Sequence, residues 1–268
     1  MTKGAESEDS AMQAVFERLA LDAGRVIMDI FRRGCAVEHK DDQSPVTEAD
    51  RAAEALILEG LRDTFPAIPC VAEEESAAGI MPARLDSAFF LVDPLDGTKE
   101  FVSRRADFTV NIAFVRDGAP AVGVVYAPCS GRLYAGRPGR AEAVEVDEAG
   151  APAARRRIAG REPVMPLAVV ASRSHRTPET DEFIRGLAAA EIVSVGSSLK
   201  FCLLAAGEAD IYPRFGRTME WDTAAGDAVL RAAGGLTTTL EGRPLTYGKR
   251  GQGTPFVNPS FIARGRMV

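Results

Sequence analysis

Near its start the chain keeps a helical beat. Met12, Val15, Phe16, Leu19, Ala23, Val26, Ile27 and Ile30 recur at intervals of three and four, which predicts a helix of about five turns with one buried face. Gly34 stops it, and a polar segment, the expected mobile piece of the chain, runs over 34–46. Thr47 stands where a cap belongs, with Asp50 in the first turn of a second helix reaching Leu61. "AIPCVAEEE" reads as a short strand running into three glutamates, and "FFLV" (89–92) as a fully buried strand. "FTVNIAFVRDGAPAVGVVYAP" predicts two antiparallel strands joined at Asp117-Gly118, with "RLYAG" adding another.

Residues 140–163 mix charge, alanine and proline without a period, and a lobe boundary is expected there. It would separate an N-terminal α+β lobe (1–150) from a C-terminal α/β lobe (151–268). In the second half, a strand "LAVVAS" precedes a helix opened by Thr177-Pro178. A strand "EIVSV", a helix from Ser197 to Ala206 and a strand "ADIYP" follow. Trp221 to Ala233 returns to helical spacing and ends at Gly234-Gly235. The class is α/β, with strands and helices alternating in the C-terminal half.

Composition narrows the function classes. A chain of 268 residues buries roughly three quarters of its unfolded surface, enough for a large core. Its net charge of −6 and the lack of a Lys/Arg stripe argue against a nucleic-acid partner. The basic run "ARRRIAGR" (154–161) reads as a solvated surface turn. Four cysteines lie far apart with no C-x-x-C pair, as buried free thiols of a reducing cytoplasm would. Two histidines are too few for a His-rich zinc site. The first residues are polar and acidic, unlike a signal peptide, and no apolar run reaches membrane-spanning length. A cytoplasmic location is expected; peripheral attachment to an inner membrane stays open.

The chemistry lies in the acids. The buried-looking strand "FFLV" runs straight into "DPLDGT", where Asp93 and Asp96 crowd each other round a proline. Like charges that close raise each other's cost of ionisation, and burial adds to it, so a cation is expected between them. Pro94 and Gly97 fix a tight turn, after which the Gly97 and Thr98 N–H groups are free to meet an anion. Glu73 and Glu74 stand upstream, and Asp222 opens a helix downstream. Hard oxygen ligands without His or thiolate select Mg²⁺, Mn²⁺ or Ca²⁺, and such cations can bring a phosphate ester to an acidic protein. The plain alternative is that each acid is a surface charge or cap; Asp50 on its own fits a helix N-terminus.

The order Asp50, Glu73-Glu74, "DPLDGT" (93–98), "WD" (221–222), then eleven residues to Gly234-Gly235 resembles the inositol monophosphatase superfamily of Mg²⁺-dependent, often lithium-inhibited phosphatases. The likeness runs from the first helix to "FIARG". It implies a layered αβαβα sandwich. It also implies two or three Mg²⁺ per site: Glu73, Asp93 and the Leu95 carbonyl for the first, Asp93, Asp96 and Asp222 for the second. The metal glutamate is Glu73 or Glu74, and the register from Asp93 favours Glu73. Asp50 and Thr98 would activate the attacking water, with Glu73 alongside, and the Gly97 and Thr98 amides would hold phosphate.

"DPLDGTKEF", with Lys99 inside it, and "GSSLKFCLLAAGEADIYPRFG" (196–216) look like the 3'(2'),5'-bisphosphate nucleotidase branch. That branch acts on adenosine 3',5'-bisphosphate, a by-product of sulfate assimilation. A second phosphate needs a further cation, for which Lys200, Arg214 and Arg217 are candidates, although Lys and Arg side chains are usually solvated. Ser197 and Ser198 would receive ribose or phosphate, or simply cap a helix. Glu220 replaces a hydrophobic or polar residue frequent before the Trp in relatives. An inositol, histidinol or fructose-bisphosphate phosphatase and a catalytically silent metal-binding regulator are the competing readings. A homodimer is common in the family.

Overall fold

The computed structural model describes residues 3–40, 44–172, 176–187 and 191–266. Asp41, Asp42 and His175 lie outside them.

The first half is built round one sheet. Helix α1 (Lys3–Arg33) leads to a two-stranded hairpin, β1 (Val37–His39) and β2 (Pro45–Thr47), and then to α2 (Glu48–Thr64). Strand β3 (Cys70–Ala72) runs directly into the short α3 (Glu73–Ala77), and β4 (Ala88–Asp96) into the short α4 (Thr98–Val102). Strands β5 (Thr109–Arg116), β6 (Ala119–Ala127), β7 (Arg132–Arg137), β8 (Arg140–Val146) and β9 (Pro152–Arg157) complete a seven-stranded sheet in the order β3-β4-β5-β6-β7-β8-β9. Only the β3–β4 pairing in it is parallel. Asp117 and Gly118, both at positive φ (52° and 72°), make the two-residue turn between β5 and β6.

The rest of the chain adds β10 (Ala168–Ser172), α5 (Pro178–Gly186), β11 (Glu191–Val195), α6 (Leu199–Ala205), β12 (Ile211–Arg214), α7 (Trp221–Ala232), β13 (Leu236–Thr239) and β14 (Phe261–Arg264). Its strands form a second sheet, β11-β10-β12-β14-β13, parallel on one side and antiparallel on the other. Thr177 caps α5 through its hydroxyl.

Five layers result. Helices α1 and α2 cover one face of the first sheet, joined by a core of Phe16, Ile27, Ile57, Leu61 and Phe90. Helices α6 and α7 fill the space between the sheets, and α5 closes the outer face of the second. The fold is therefore the αβαβα sandwich that the resemblance implied. Where α7 crosses the first sheet, backbone meets backbone: a Cβ on Gly123 would fall 2.5 Å from the Ala225 carbonyl oxygen, and one on Gly136 2.5 Å from Val229 Cα.

Three elements differ from the periodicity. Helix α1 begins well before Met12, because its first turns are held by polar contacts that leave no apolar beat: Asp9, 2% exposed, binds Arg116 at 2.6 Å. Residues 140–157 form two strands, so the first sheet runs on to Arg157. The arginine run lies in β9, an exposed edge strand rather than a turn. There Arg155 grips Glu17 of α1 at 2.6 Å and Glu142 of β8 at 3.1 Å, and charge along an edge discourages pairing with another chain.

Candidate active site

Asp93 and Asp96 share a face because β4 is irregular between them. Residues three apart on a regular strand point to opposite sides. Here Asp93 pairs with Asn111 while Asp96 pairs with Thr109, so β4 carries one extra residue. The bulge resets the alternation: Phe90, Val92 and Leu95 pack toward α1 and α2, while the two aspartates turn to the opposite side. Glu73 arrives as the first residue of α3, and Asp222 as the second of α7. One carboxylate oxygen from each of Glu73, Asp93 and Asp222 lies within 4.8 Å of the others.

Local hydrogen bonds hold each acid. Asp93 Oδ1 accepts from the Leu95 N–H at 3.0 Å, whereas its Oδ2 is buried with no hydrogen-bond partner. Asp222 accepts from the Met219 N–H at 2.8 Å, and Asp96 Oδ2 from the Ser198 hydroxyl at 2.9 Å. Helix α3 has no side-chain cap of its own; the Glu54 carboxylate serves instead, accepting from the Glu74 and Glu75 N–H groups at 2.7 Å each. Lys40 bridges Glu73 at 2.7 Å and Glu74 at 2.6 Å.

Burial, then Glu73, Asp96 and Asp222, hold the Asp93 carboxyl well above the usual range. Burial, then Asp96 and Glu73, push Asp222 up to about 8. Burial raises Asp96 as well. Acids this crowded are stabilised as carboxylates by a divalent cation, and the orphaned Asp93 oxygen is a ready ligand. The residues fit a hard metal ion.

Asp50 has two jobs at once. It closes a capping box with Thr47, whose N–H donates to Oδ2 at 2.7 Å. Its other oxygen, Oδ1, accepts from the Thr98 hydroxyl at 2.9 Å. The Leu95 carbonyl lies 3.2 Å from that same hydroxyl. Burial raises the Asp50 pKa against the pull of these bonds.

A cavity of about 810 Å³ is lined by Glu73, Asp93, Leu95, Asp96, Gly97 and Thr98. Lys99, Ser197, Ser198, Lys200, Arg214, Arg217 and Asp222 line it too. Asp50 is not in the lining and reaches the site through Thr98. Gly97, at φ 98°, stands just before α4, and a side chain there would meet the Asp107 carbonyl at 3.0 Å. Lys200 and Arg214 are buried in the wall, while Lys99 and Arg217 are exposed. Arg214 donates to the Arg217 carbonyl at 3.0 Å, and the Lys200 ammonium lies 5.3 Å from the Tyr212 ring centroid.

Lys40, Glu54 and Asn111 were not singled out as site residues from sequence. A polar Asn at a core-facing position of "FTVNIAF", and a glutamate one helical turn after Asp50, are the signals that point to two of them. Glu220 turns away from the cavity. Fully buried, it accepts from the Gly248 and Lys249 N–H groups at 2.5 and 2.9 Å and pairs with the Lys249 ammonium at 2.7 Å. It thereby anchors the segment that brings Thr254 and Pro255 to the cavity wall.

The profile of the inositol monophosphatase family matches residues 8–255. The chain belongs to this family. Among inositol monophosphatase family members, it is similar to the 3'(2'),5'-bisphosphate nucleotidase CysQ of Salmonella typhimurium, 44% identical over 246 residues that span 91% of this chain and 96% of that protein. The Escherichia coli nucleotidase of the same name matches with the same identity and coverage. The crystal structure of CysQ from Bacteroides thetaiotaomicron, a bacterial member of the inositol monophosphatase family, aligns at a TM-score of 0.79 and 34% identity, covering 96% of this chain and 98% of that one. No helix among the described residues is long and apolar enough to cross a membrane.

Proposed function

We propose that this protein is a Mg²⁺-dependent phosphomonoester hydrolase that removes the 3'-phosphate of adenosine 3',5'-bisphosphate to give AMP. The observation that carries the reading is one cavity lined both by Glu73, Asp93 and Asp222 and by the buried cations Lys200 and Arg214. An acid cluster alone suits a metal and one phosphate; two cationic side chains beside it suit a substrate with a second phosphate. The similar CysQ proteins of Salmonella typhimurium and Escherichia coli are named 3'(2'),5'-bisphosphate nucleotidases, which supports a nucleotide with two phosphates as the substrate.

Glu73, Asp93, the Leu95 carbonyl, Asp96 and Asp222 would hold two or three Mg²⁺. When bound, such cations lower the pKa of a water and neutralise the leaving oxygen. The chain's own residues supply the rest. Thr98 donates its hydroxyl proton to Asp50, and its oxygen accepts from the attacking water. As the water oxygen bonds to phosphorus, its proton passes to Thr98 Oγ while the Thr98 proton passes to Asp50; the bond from phosphorus to the ribose 3' oxygen breaks, and that oxygen leaves as the 3' hydroxyl of AMP after taking a proton from a solvent water. The Gly97 and Thr98 N–H groups, at the start of α4, face the transferred phosphoryl group. Lys200 and Arg214 hold the 5'-phosphate, and Ser197, in the same cavity wall, receives the ribose.

A panel of esters with Mg²⁺, read by released phosphate, tests this. Adenosine 3',5'-bisphosphate is expected to be hydrolysed with the highest kcat/KM. Preference for inositol 1-phosphate, histidinol phosphate or fructose 1,6-bisphosphate would move the protein to another branch of the family. Release from none of them would make it a metal-binding regulator.

A further inference from the structure

Behind the acids, three distant segments meet on one hydroxyl. Ser198 is 2% exposed. Its Oγ lies 2.9 Å from Asn111 Nδ2 on β5, 2.9 Å from Asp96 Oδ2 at the end of β4, and 2.7 Å from the Asp222 main-chain carbonyl on α7. Ser198 stands at the cap position of α6, yet its side chain makes no capping bond. Its hydroxyl points the other way, toward the acids.

These contacts exhaust the group. A hydroxyl offers one proton and two lone pairs: one lone pair accepts from Asn111 Nδ2, and the single proton is shared between the two acceptors, Asp96 Oδ2 and the Asp222 carbonyl. A ribose hydroxyl or phosphate oxygen therefore finds no room on it. Asn111 is equally enclosed at 1% exposed, and it lies directly across the ladder from Asp93. The pair thus joins the first sheet, which carries Asp93 and Asp96, to α7, which carries Asp222.

We propose that Ser198, held by Asn111, is a positioning residue for the metal-binding acids: its one proton, shared between the Asp96 carboxylate and the Asp222 main-chain carbonyl, holds the two at a set separation. This rests on the reading that those acids hold divalent cations. Mg²⁺ demands near-octahedral geometry, so an error in ligand spacing appears as lost affinity. Groups that orient metal ligands typically cost 10–100-fold in metal affinity when removed.

The test titrates MgCl₂, and separately MnCl₂, into the whole protein by calorimetry with no ester present. The unmodified protein should bind and Asp93→Asn should not; failure of the unmodified protein to bind either ion defeats the underlying reading. Ser198→Ala is expected to bind roughly 10–100-fold more weakly, while its KM for the ester at saturating metal stays unchanged. Asn111→Ala should weaken binding less, and add little in the Ser198→Ala background, because both act through one hydroxyl. Parent-like metal affinity of Ser198→Ala overturns the proposal, as does a raised ester KM with metal affinity intact, which would put Ser198 on the substrate. Should Ser198→Ala unfold at the titration temperature, Ser198→Thr and Asn111→Ala decide. The first keeps the hydroxyl and should bind as the parent does, and equal affinities for the two variants overturn the proposal.

Discussion

The two faces of the seven-stranded sheet are packed by different means. Toward α1 and α2 the strands present large apolar side chains, with Phe90 ringed by Phe16, Phe65 and Phe114 at centroid distances of 5.6 Å. Toward α7 the contact at Gly123 and Gly136 has no side chain on the sheet side, and this face ends in Asp93 and Asn111. The first face is held by bulk and dispersion. The second also buries Phe89, Leu91, Val115 and Tyr134 against α6 and α7, but it meets α7 backbone to backbone at two glycines and then gives way to charge, which burial alone makes unfavourable. Both sides thus carry apolar core, and only one of them carries the chemistry.

Substitutions on each face should separate the two properties. The largest effect is expected from Asp93→Asn, which abolishes Mg²⁺-dependent phosphate release. A melting curve without added metal should show no loss of stability and a gain if anything, since a buried carboxylate crowded by Glu73, Asp96 and Asp222 is replaced by a neutral group. A lowered melting point would mean that this face, too, contributes to the fold through its acid. Next is Phe90→Ala, fully buried on the other face. It should cost about 3–5 kcal/mol in a urea titration while turnover per folded molecule, measured at low temperature, stays near that of the unmodified protein.

The smallest effect concerns Lys200. Burial pushes its ammonium down to about 8, against the pull of Asp96. Rising pH therefore removes its charge, and its hold on an anion, on passing about 8. KM for adenosine 3',5'-bisphosphate should climb above that pH, while KM for an ester with a single phosphate stays flat. Lys200→Arg keeps the charge and should abolish the climb.

The apolar face was legible in the chain because its rule is periodic. Phe16 and Ile27 on α1 and the run at 89–92 on β4 follow spacings that any buried helix or strand must follow. The beginning of α1 was not, since Asp9 is buried against Arg116 and breaks the apolar beat. Strands β8 and β9 hid for a similar reason: β9 is exposed throughout and carries arginines, so neither of its faces alternates. In the cavity, "DPLDGT" announced its acids by placing charge at the end of an apolar strand. The partners that orient those acids are single residues set by tertiary approach. Ser198 reads locally as a helix cap, and Glu220 as an odd neighbour of Trp221. Only the folded chain brings the first to Asp96 and the second to Gly248 and Lys249.

Where α7 lies flush on the sheet, nothing compressible separates the two at Gly123 and Gly136. Side chains can change rotamer and absorb a shift, but two abutting main chains act as a hard stop. Asp222 is therefore gauged from the sheet by a rigid spacer. The apolar core beneath α1 and α2 is free to vary in sequence without dragging the acid out of register.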